Sequence, residues 1–301
     1  MQHGTGLKRD PKDSRDKKYD HLALATSLFD WEKGYDVEEE LGFKLPTKDQ
    51  GGSMSCVGQA TATYAYVKNA FELKPVYRDK TQQHLDELSA KSVYSQISLG
   101  YGVGAYLRDG VKLLKSMGVV TEKDVPSYVN GRVPDEKFMI DRSWVNEELI
   151  SKAKNLQASE YRVIHNITID SIAAAIRDNQ GLLMGVQGSN NGTWSNLFPL
   201  PPKTGEDRWG HAIYGGKARL INGKKYIGKK NSWGENVGAD GWQWYGEEWF
   251  KEDFLFNPWV VVDQANLKWV HMIDKNGEAR TFPTYFLRTI RYMEKLGFKL
   301  I

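Results

Sequence analysis

One cysteine stands in this chain, in the stretch Gln50-Gly51-Gly52-Ser53-Met54-Ser55-Cys56-Val57-Gly58-Gln59-Ala60. The first half of the stretch is a glycine-rich turn. The second half reads as a helix, because Val57, Ala60, Tyr64, Val67 and Phe71 recur at three and four residues and form one apolar face. Ser55 is placed to cap it. Cys56 then falls in the first turn, where backbone N–H groups lack intrahelical partners and the helix dipole is positive. Such a position stabilises a thiolate, the nucleophilic form of cysteine, and predicts a lowered pKa. Gln50 lies upstream across a loop that can fold its side chain back toward the sulfur.

A cysteine nucleophile needs a base. His3 and His21 lie in a polar arm, His84 in a charged loop, His165 after a strand and His271 in a late strand, all positions typical of surface or structural histidines. His211 differs. It opens the apolar run Ala212-Ile213-Tyr214, and Lys230-Asn231-Ser232-Trp233-Gly234 follows on a later strand. An imidazole on one strand, an amide on the next to orient it and a tryptophan to cover their hydrogen bond complete a nucleophile–base–orienter set. Taken singly, each residue has a plainer reading: a buried cysteine is usually a small hydrophobe, the Asn231 segment could be a turn, and Gln50 a loop residue.

The elements that must position these groups follow from periodicity and turn signals. Ahead of the cysteine helix, residues 1–21 form a charged arm that is disordered or orders only on contact, and Leu45-Pro46 makes an extended lead-in. Behind it come a helix from Leu88-Ser89, the Gly100–Gly104 loop, and a helix from Ala105 to Met117 ended by Gly118. Residues 129–160 read as a polar insertion with a short helix near Trp144–Lys154. The second half turns to strands: Tyr161–Ile164, Leu182–Val186, His211–Gly215, Ala218–Ile221, Tyr226–Lys229, Gly241–Tyr245 and Pro258–Val262. One amphipathic helix, Thr168–Asn179, is stopped by Gly181. Asn222-Gly223 signals a hairpin. In the tail, Leu267–Ile273 and Ala279–Phe282 flank a second hairpin signal at Asp274–Gly277, and Phe286, Ile290, Met293 and Leu296 line a helix face. That helix is expected to pack on the core, with docking of a partner as the alternative.

Composition bounds the rest. At 301 residues the chain can bury a full core. Its formal charge of +3 comes without a lysine/arginine block, which argues against nucleic acid. No stretch of about 18 apolar residues predicts a membrane span, and the polar first 20 residues do not read as a secretory signal. A single cysteine forms no internal disulfide and fits a reducing compartment, so a cytoplasmic location is expected, or a virion-associated one if the chain is viral. Nothing in the sequence requires a cofactor or metal.

Together the Gln50-to-Cys56 segment, Gly210-His211-Ala212 and Lys230–Gly234 resemble the three signature blocks of papain-like cysteine peptidases, over roughly residues 40–265. Gly241-Trp242, Leu107–Val119 and Gln180–Val186 are similar to further family segments. His211 follows Cys56 by slightly more than the family's span of about 130–150 residues, which the insertion accounts for. The chain departs at Ser53, where a disulfide cysteine is common, at Met54, usually glycine, and at Val57, usually aromatic. These features look most like the disulfide-free bacterial or viral branches.

The resemblance implies an α+β fold of two lobes, a helical lobe to about 160 and a β-barrel-like lobe from about 161, with the active site in the cleft between them. Residues 1–39 would be an arm and lead-in, 40–265 the peptidase core and 266–301 an extension. It implies that Cys56 attacks the carbonyl carbon, that His211 carries the proton, that Asn231 orients His211, and that Trp233 shields that contact. Gln50, with the Cys56 backbone N–H, would form the oxyanion hole, and the partner would be a peptide or protein substrate. The same residues would also serve an acyltransferase or amidase, and an inactive peptide-binding module could keep the fold.

Overall fold

The computed structural model describes residues 4–19 and 29–262 and the strand segments 269–273, 279–283 and 299–300. In chain order these form β1 (Leu7–Lys8), β2 (Tyr35–Asp36), α1 (Val37–Leu41), α2 (Cys56–Tyr77), α3 (Ala90–Ile97), β3 (Ala105–Tyr106), α4 (Leu107–Ser116), α5 (Glu136–Ile140) and α6 (Glu147–Ala153). Then follow β4 (Glu160–Val163), α7 (Ile169–Asn179), β5 (Leu182–Ser189), β6 (Arg208–Ile221), β7 (Lys224–Lys230), β8 (Trp242–Gly246), β9 (Leu255–Val262), β10 (Trp269–Ile273), β11 (Ala279–Pro283) and β12 (Lys299–Leu300). The fold is α+β, helices first and sheet second.

Helix α2 is the axis of the helical half. It runs 22 residues, longer than its apolar periodicity marks. Val57, Ala60, Ala62, Tyr64, Ala65, Tyr66, Val67 and Ala70 are all buried, so the helix is enclosed on every side rather than along one stripe. Gly58 lets α3 approach closely: a Cβ there would stand 2.6 Å from the Tyr94 Cβ. Ser55 does not cap α2 with its side chain. Its hydroxyl is engaged instead with the Ser53 hydroxyl at 2.7 Å and the Gln59 amide at 3.2 Å.

The stretch 129–160 is tied to the helical half rather than looped out from it. Arg142 donates to the Ser95 carbonyl at 2.6 Å, the Trp144 indole donates to the Ser95 hydroxyl at 3.0 Å, and Ala158 N–H donates to the Leu114 carbonyl at 3.0 Å.

The main sheet is antiparallel with strand order β4-β9-β5-β6-β7-β8, and β2 adds to β6. A barrel-like second lobe was the expectation; among the described residues no pairing joins the outer strands β4 and β8, so the sheet stays open. The two strands expected at 211–215 and 218–221 are one, β6, which absorbs a register shift between Gly215 and Lys217. Asn222 and Gly223 both take positive φ (50° and 72°), the conformation an Asn-Gly hairpin requires.

Thr168 caps α7 reciprocally with Ser171, and the left-handed residue that ends it is Gln180, one before the expected Gly181. Cysteine-bearing α2 packs with Leu183, Ala212, Tyr214, Trp259 and Val261, while Ile172 and Ile176 of α7 pack with Leu182, Met184, Ile213 and Val260. Alternate residues of β5, β6 and β9 thus serve two cores.

In the tail Trp269–Ile273 pairs antiparallel with Ala279–Pro283, and the turn expected at Asp274–Gly277 lies outside the described residues. The expected helix face at 286–296 lies outside the described residues.

Candidate active site

Cys56 is the first residue of α2 and is fully buried. Strand β6 carries His211, and Asn231 directly follows β7, its hairpin partner. His211 Nε2 lies 2.9 Å from Asn231 Oδ1.

The direction of that bond is settled by a residue the sequence reading passed over. Gln243, on β8 and fully buried, donates its amide N–H groups to the carbonyls of Trp194 (2.8 Å) and Asn196 (2.9 Å). Its oxygen therefore faces Asn231 and accepts from Asn231 Nδ2 at 2.9 Å. Asn231 must then turn Oδ1 toward the imidazole, where it also accepts from Ser232 N–H at 2.7 Å. An acceptor at Nε2 requires the proton on Nε2 and leaves Nδ1 as the basic nitrogen of the neutral ring. Gly241-Trp242 was legible as a motif, but nothing in the sequence marks the glutamine after it.

Trp233 lies over the pair, its ring centroid 4.4 Å from that of His211 and tilted by 30°. Trp194 and Trp209 pack edge-on or tilted around Trp233 and each other, so water is excluded from the His211–Asn231 bond. A hydrogen bond in such surroundings is electrostatically stronger than one in water.

Gln50 is fully buried as well. Its Oε1 accepts from the Ser232 hydroxyl at 2.6 Å, and its backbone N–H donates to the Ser232 carbonyl at 2.8 Å. The turn before the cysteine is thereby fastened to the segment that follows Asn231. Gln50 Nε2 donates to the Ser53 carbonyl at 2.8 Å and to the Gly4 carbonyl at 3.1 Å.

Gly4 belongs to the charged N-terminal arm, which is ordered over residues 4–19 and lies across the cysteine. Gly4 N–H donates to the Gly51 carbonyl (3.2 Å), Ala105 N–H donates to the Gly6 carbonyl (2.9 Å), and β1 pairs in parallel with β3, Leu7 opposite Ala105. Gly6 rests on the loop before Cys56 so closely that a Cβ there would overlap the Met54 carbonyl, and a Cβ on Gly104 would overlap Gly6.

Leu7 is buried beside Gly185 and Gly210. Arg9 crosses the Phe256 ring at 4.3 Å and donates to the Gln187 side chain and the Asp253 carbonyl. Asp10 accepts from the Trp259 indole (2.7 Å) and Arg108 N–H (3.2 Å), and Arg108 pairs with Asp16 at 2.6 Å. Burial pushes the Asp10 carboxyl up to about 6, although those two N–H groups and the Arg108 charge favour its ionised form.

Under this arm the thiol behaves contrary to the sequence expectation. Burial pushes Cys56 up to about 11, while the backbone N–H groups of Ala212, Gly6, Val57 and Cys56 itself pull the other way. The helix N-terminus is present as expected, but loss of water outweighs it.

Of the other departures from the family pattern, Met54 lies beneath Gly6 of the arm, whereas Val57 is fully buried in the core. His84 stacks on Tyr77 and His271 pairs with Thr281, both in other settings. No group of three or more His, Cys, Asp or Glu suited to a metal ion occurs among the described residues. Among them, too, no helix is long and apolar enough to cross a membrane.

No family model matches the chain, and no curated protein matches it by sequence. Solved structures do. Xylellain, a cysteine protease from Xylella fastidiosa, is similar with a TM-score of 0.68 at 22% identity, over 86% of this chain and 96% of that one. Procathepsin L2 from the larval midgut of Tenebrio molitor is similar with a TM-score of 0.63 at 17% identity, over 86% and 78%. Procathepsin B S9 from Trypanosoma congolense has a TM-score of 0.61 at 14% identity, over 86% of each chain. The chain has the papain-like fold that these cysteine proteases share.

Proposed function

We propose that this papain-like chain is a cysteine peptidase working through an acyl-enzyme on Cys56. The observation that carries the reading is the imidazole oriented through Asn231 and Gln243, on the strand whose Ala212 N–H points at the Cys56 sulfur. That arrangement leaves Nδ1 of His211 to take the thiol proton.

Once the arm leaves, the Cys56 sulfur regains water and the imidazole is free to hold its proton. The thiolate forms a bond to the substrate carbonyl carbon. The developing oxyanion takes the place of the Gly4 carbonyl oxygen against Gln50 Nε2, with the Cys56 backbone N–H as the second donor. His211 then gives its proton to the departing amine as the carbon–nitrogen bond breaks. In the second half, water gives a proton to His211 and attacks the thioester, and the sulfur leaves as thiolate.

The seated arm also favours a second reading, a peptide-binding module with no turnover, because Gly4 and Gly6 lie against Gln50 and Met54 much as a bound peptide would. Intact-mass labelling by an epoxysuccinyl inhibitor, together with cleavage of a peptide library, tests the choice. The peptidase reading expects a single adduct on Cys56 and cleavage that disappears in Cys56→Ala. Cleavage that persists in Cys56→Ala overturns it, and a Gly6→Ala protein, its arm unseated, that is neither labelled nor active favours the binding module.

A further inference from the structure

Helix α2 lacks a side-chain cap of its own, yet it presents the candidate nucleophile in its first turn. Something else must hold the approach to it. Glu136, at the start of α5, is buried and sends its carboxylate under the nucleophile loop. Oε2 accepts from Met54 N–H at 2.7 Å, and Oε1 accepts from the Tyr94 hydroxyl at 2.7 Å. Tyr94 stands on α3, whose contact with α2 at Gly58 is close enough to exclude a Cβ. One carboxylate therefore joins α3, α5 and the residue two before Cys56 into a closed frame.

We propose that Glu136 is a positioning residue for the nucleophile: it fixes the Met54–Cys56 backbone so that the first-turn N–H groups point at the sulfur and at the site where the oxyanion would form. The assignment rests on Cys56 being the nucleophile. Hydrogen bonding, not charge, is the working feature. A glutamine would reproduce both contacts, its oxygen accepting from Met54 N–H and its amide donating to the Tyr94 oxygen. Loss of the acceptor leaves the part-buried Met54 N–H without its partner, which the loop relieves by moving. A shift of about 1 Å at a reacting group is worth up to 10²-fold in rate.

The test compares Glu136→Ala, Glu136→Gln and Glu136→Asp in the full chain, reading kcat and KM on a cleaved peptide and the pH midpoint of Cys56 alkylation by iodoacetamide. At saturating peptide kcat is read with the arm displaced, and the midpoint reads the sulfur's surroundings even if no peptide is cleaved. Failure of this proposal and failure of the peptidase reading are thus told apart. Expected for Glu136→Ala are a fall in kcat on the order of 10-fold, KM within about 2-fold, and an upward-shifted midpoint. Glu136→Gln restores kcat and places the midpoint at or below that of the wild type. If Glu136→Ala does not fold, Glu136→Asp, one methylene too short to reach both donors, is expected to show the same changes at smaller size. A Glu136→Ala or Glu136→Asp protein with wild-type kcat and midpoint and only a lower melting temperature overturns the proposal. So does Glu136→Gln behaving like Glu136→Ala.

Discussion

Gln50 Nε2 holds the carbonyl oxygen of Gly4 at 3.1 Å, a side-chain donor from the loop before Cys56 closed on a backbone acceptor from the N-terminal arm. The same amide is locked from behind by the Ser232 hydroxyl on its oxygen. A donor so fixed does not turn away when the arm departs, so it stays aimed at whatever carbonyl replaces Gly4. Gln50→Ala is accordingly expected to lower peptide turnover by about 10²–10³-fold, one oxyanion donor's worth, with the protein still folded. Steady-state kinetics on a common peptide check this; a change under about 3-fold removes Gln50 from the oxyanion site.

Seating of the arm depends on Gly6, since a Cβ there would overlap the Met54 carbonyl. Gly6→Ala is expected to unseat the arm and to raise the rate of Cys56 alkylation at pH 7 by on the order of 10²-fold, because the thiol held near 11 by burial returns toward an ordinary value near 8.5. Because Cys56 is the sole thiol, total iodoacetamide incorporation reads the site directly. An unchanged rate would mean that the arm does not control access.

Docking of the arm also has a pH dependence with a definite sign. Burial raises Asp10 from 3.8 to about 6 in the seated arm, facing Trp259 from β9, Arg108 and Asp109 from α4, and Asn257. The seated state binds the proton more tightly than the free arm. This contribution to seating is therefore fully present below about 3.8 and is lost as pH rises through about 6. The shift corresponds to roughly 3 kcal/mol. Protection of Cys56 from alkylation should weaken between pH 5 and 7 beyond the thiol's own titration, and Asp10→Asn should flatten that extra dependence. Protection that strengthens over the same range contradicts the sign.

Gln243 sets the tautomer of His211 through Asn231. Gln243→Met keeps the volume and removes the acceptor, so Asn231 is free to rotate its amide. Nitrogen NMR of the imidazole is expected to show loss of the single Nε2–H form, with kcat lower by on the order of 10-fold. Retention of one tautomer would mean that Ser232 N–H alone orients Asn231.

Lys229 is fully buried on β7, its ammonium nitrogen 3.3 Å from the Met184 sulfur and 4.2 Å from the Tyr245 ring centroid. Burial holds it well below the usual lysine range. Between its folded value and 10.5 the unfolded chain binds more protons, so this residue makes stability rise with pH across that window. Lys229→Met removes the effect. Its urea midpoint should exceed that of the wild type more at pH 6 than at pH 10, and an equal gain at both would show that packing alone is responsible.

The sequence by itself determined which residue types could react and the local elements that carry them. Period and turn chemistry located the helix at Cys56, the strand at His211, the Asn222-Gly223 hairpin and the α-then-β order, because these depend on neighbours a few residues apart. Tertiary structure decided what distant segments do to one another. Gln243 and Glu136 carry no local signature; each matters only through the atom it meets, Asn231 Nδ2 or Met54 N–H. The charged arm has too few apolar residues to fold alone, yet Gly4, Gly6 and Leu7 fit a groove that exists only after both halves have packed. Burial reversed the expected pKa of Cys56, against the pull of the Gly6 N–H from the arm. A helix terminus acts through local geometry and is readable from sequence, whereas desolvation depends on everything that covers the sulfur.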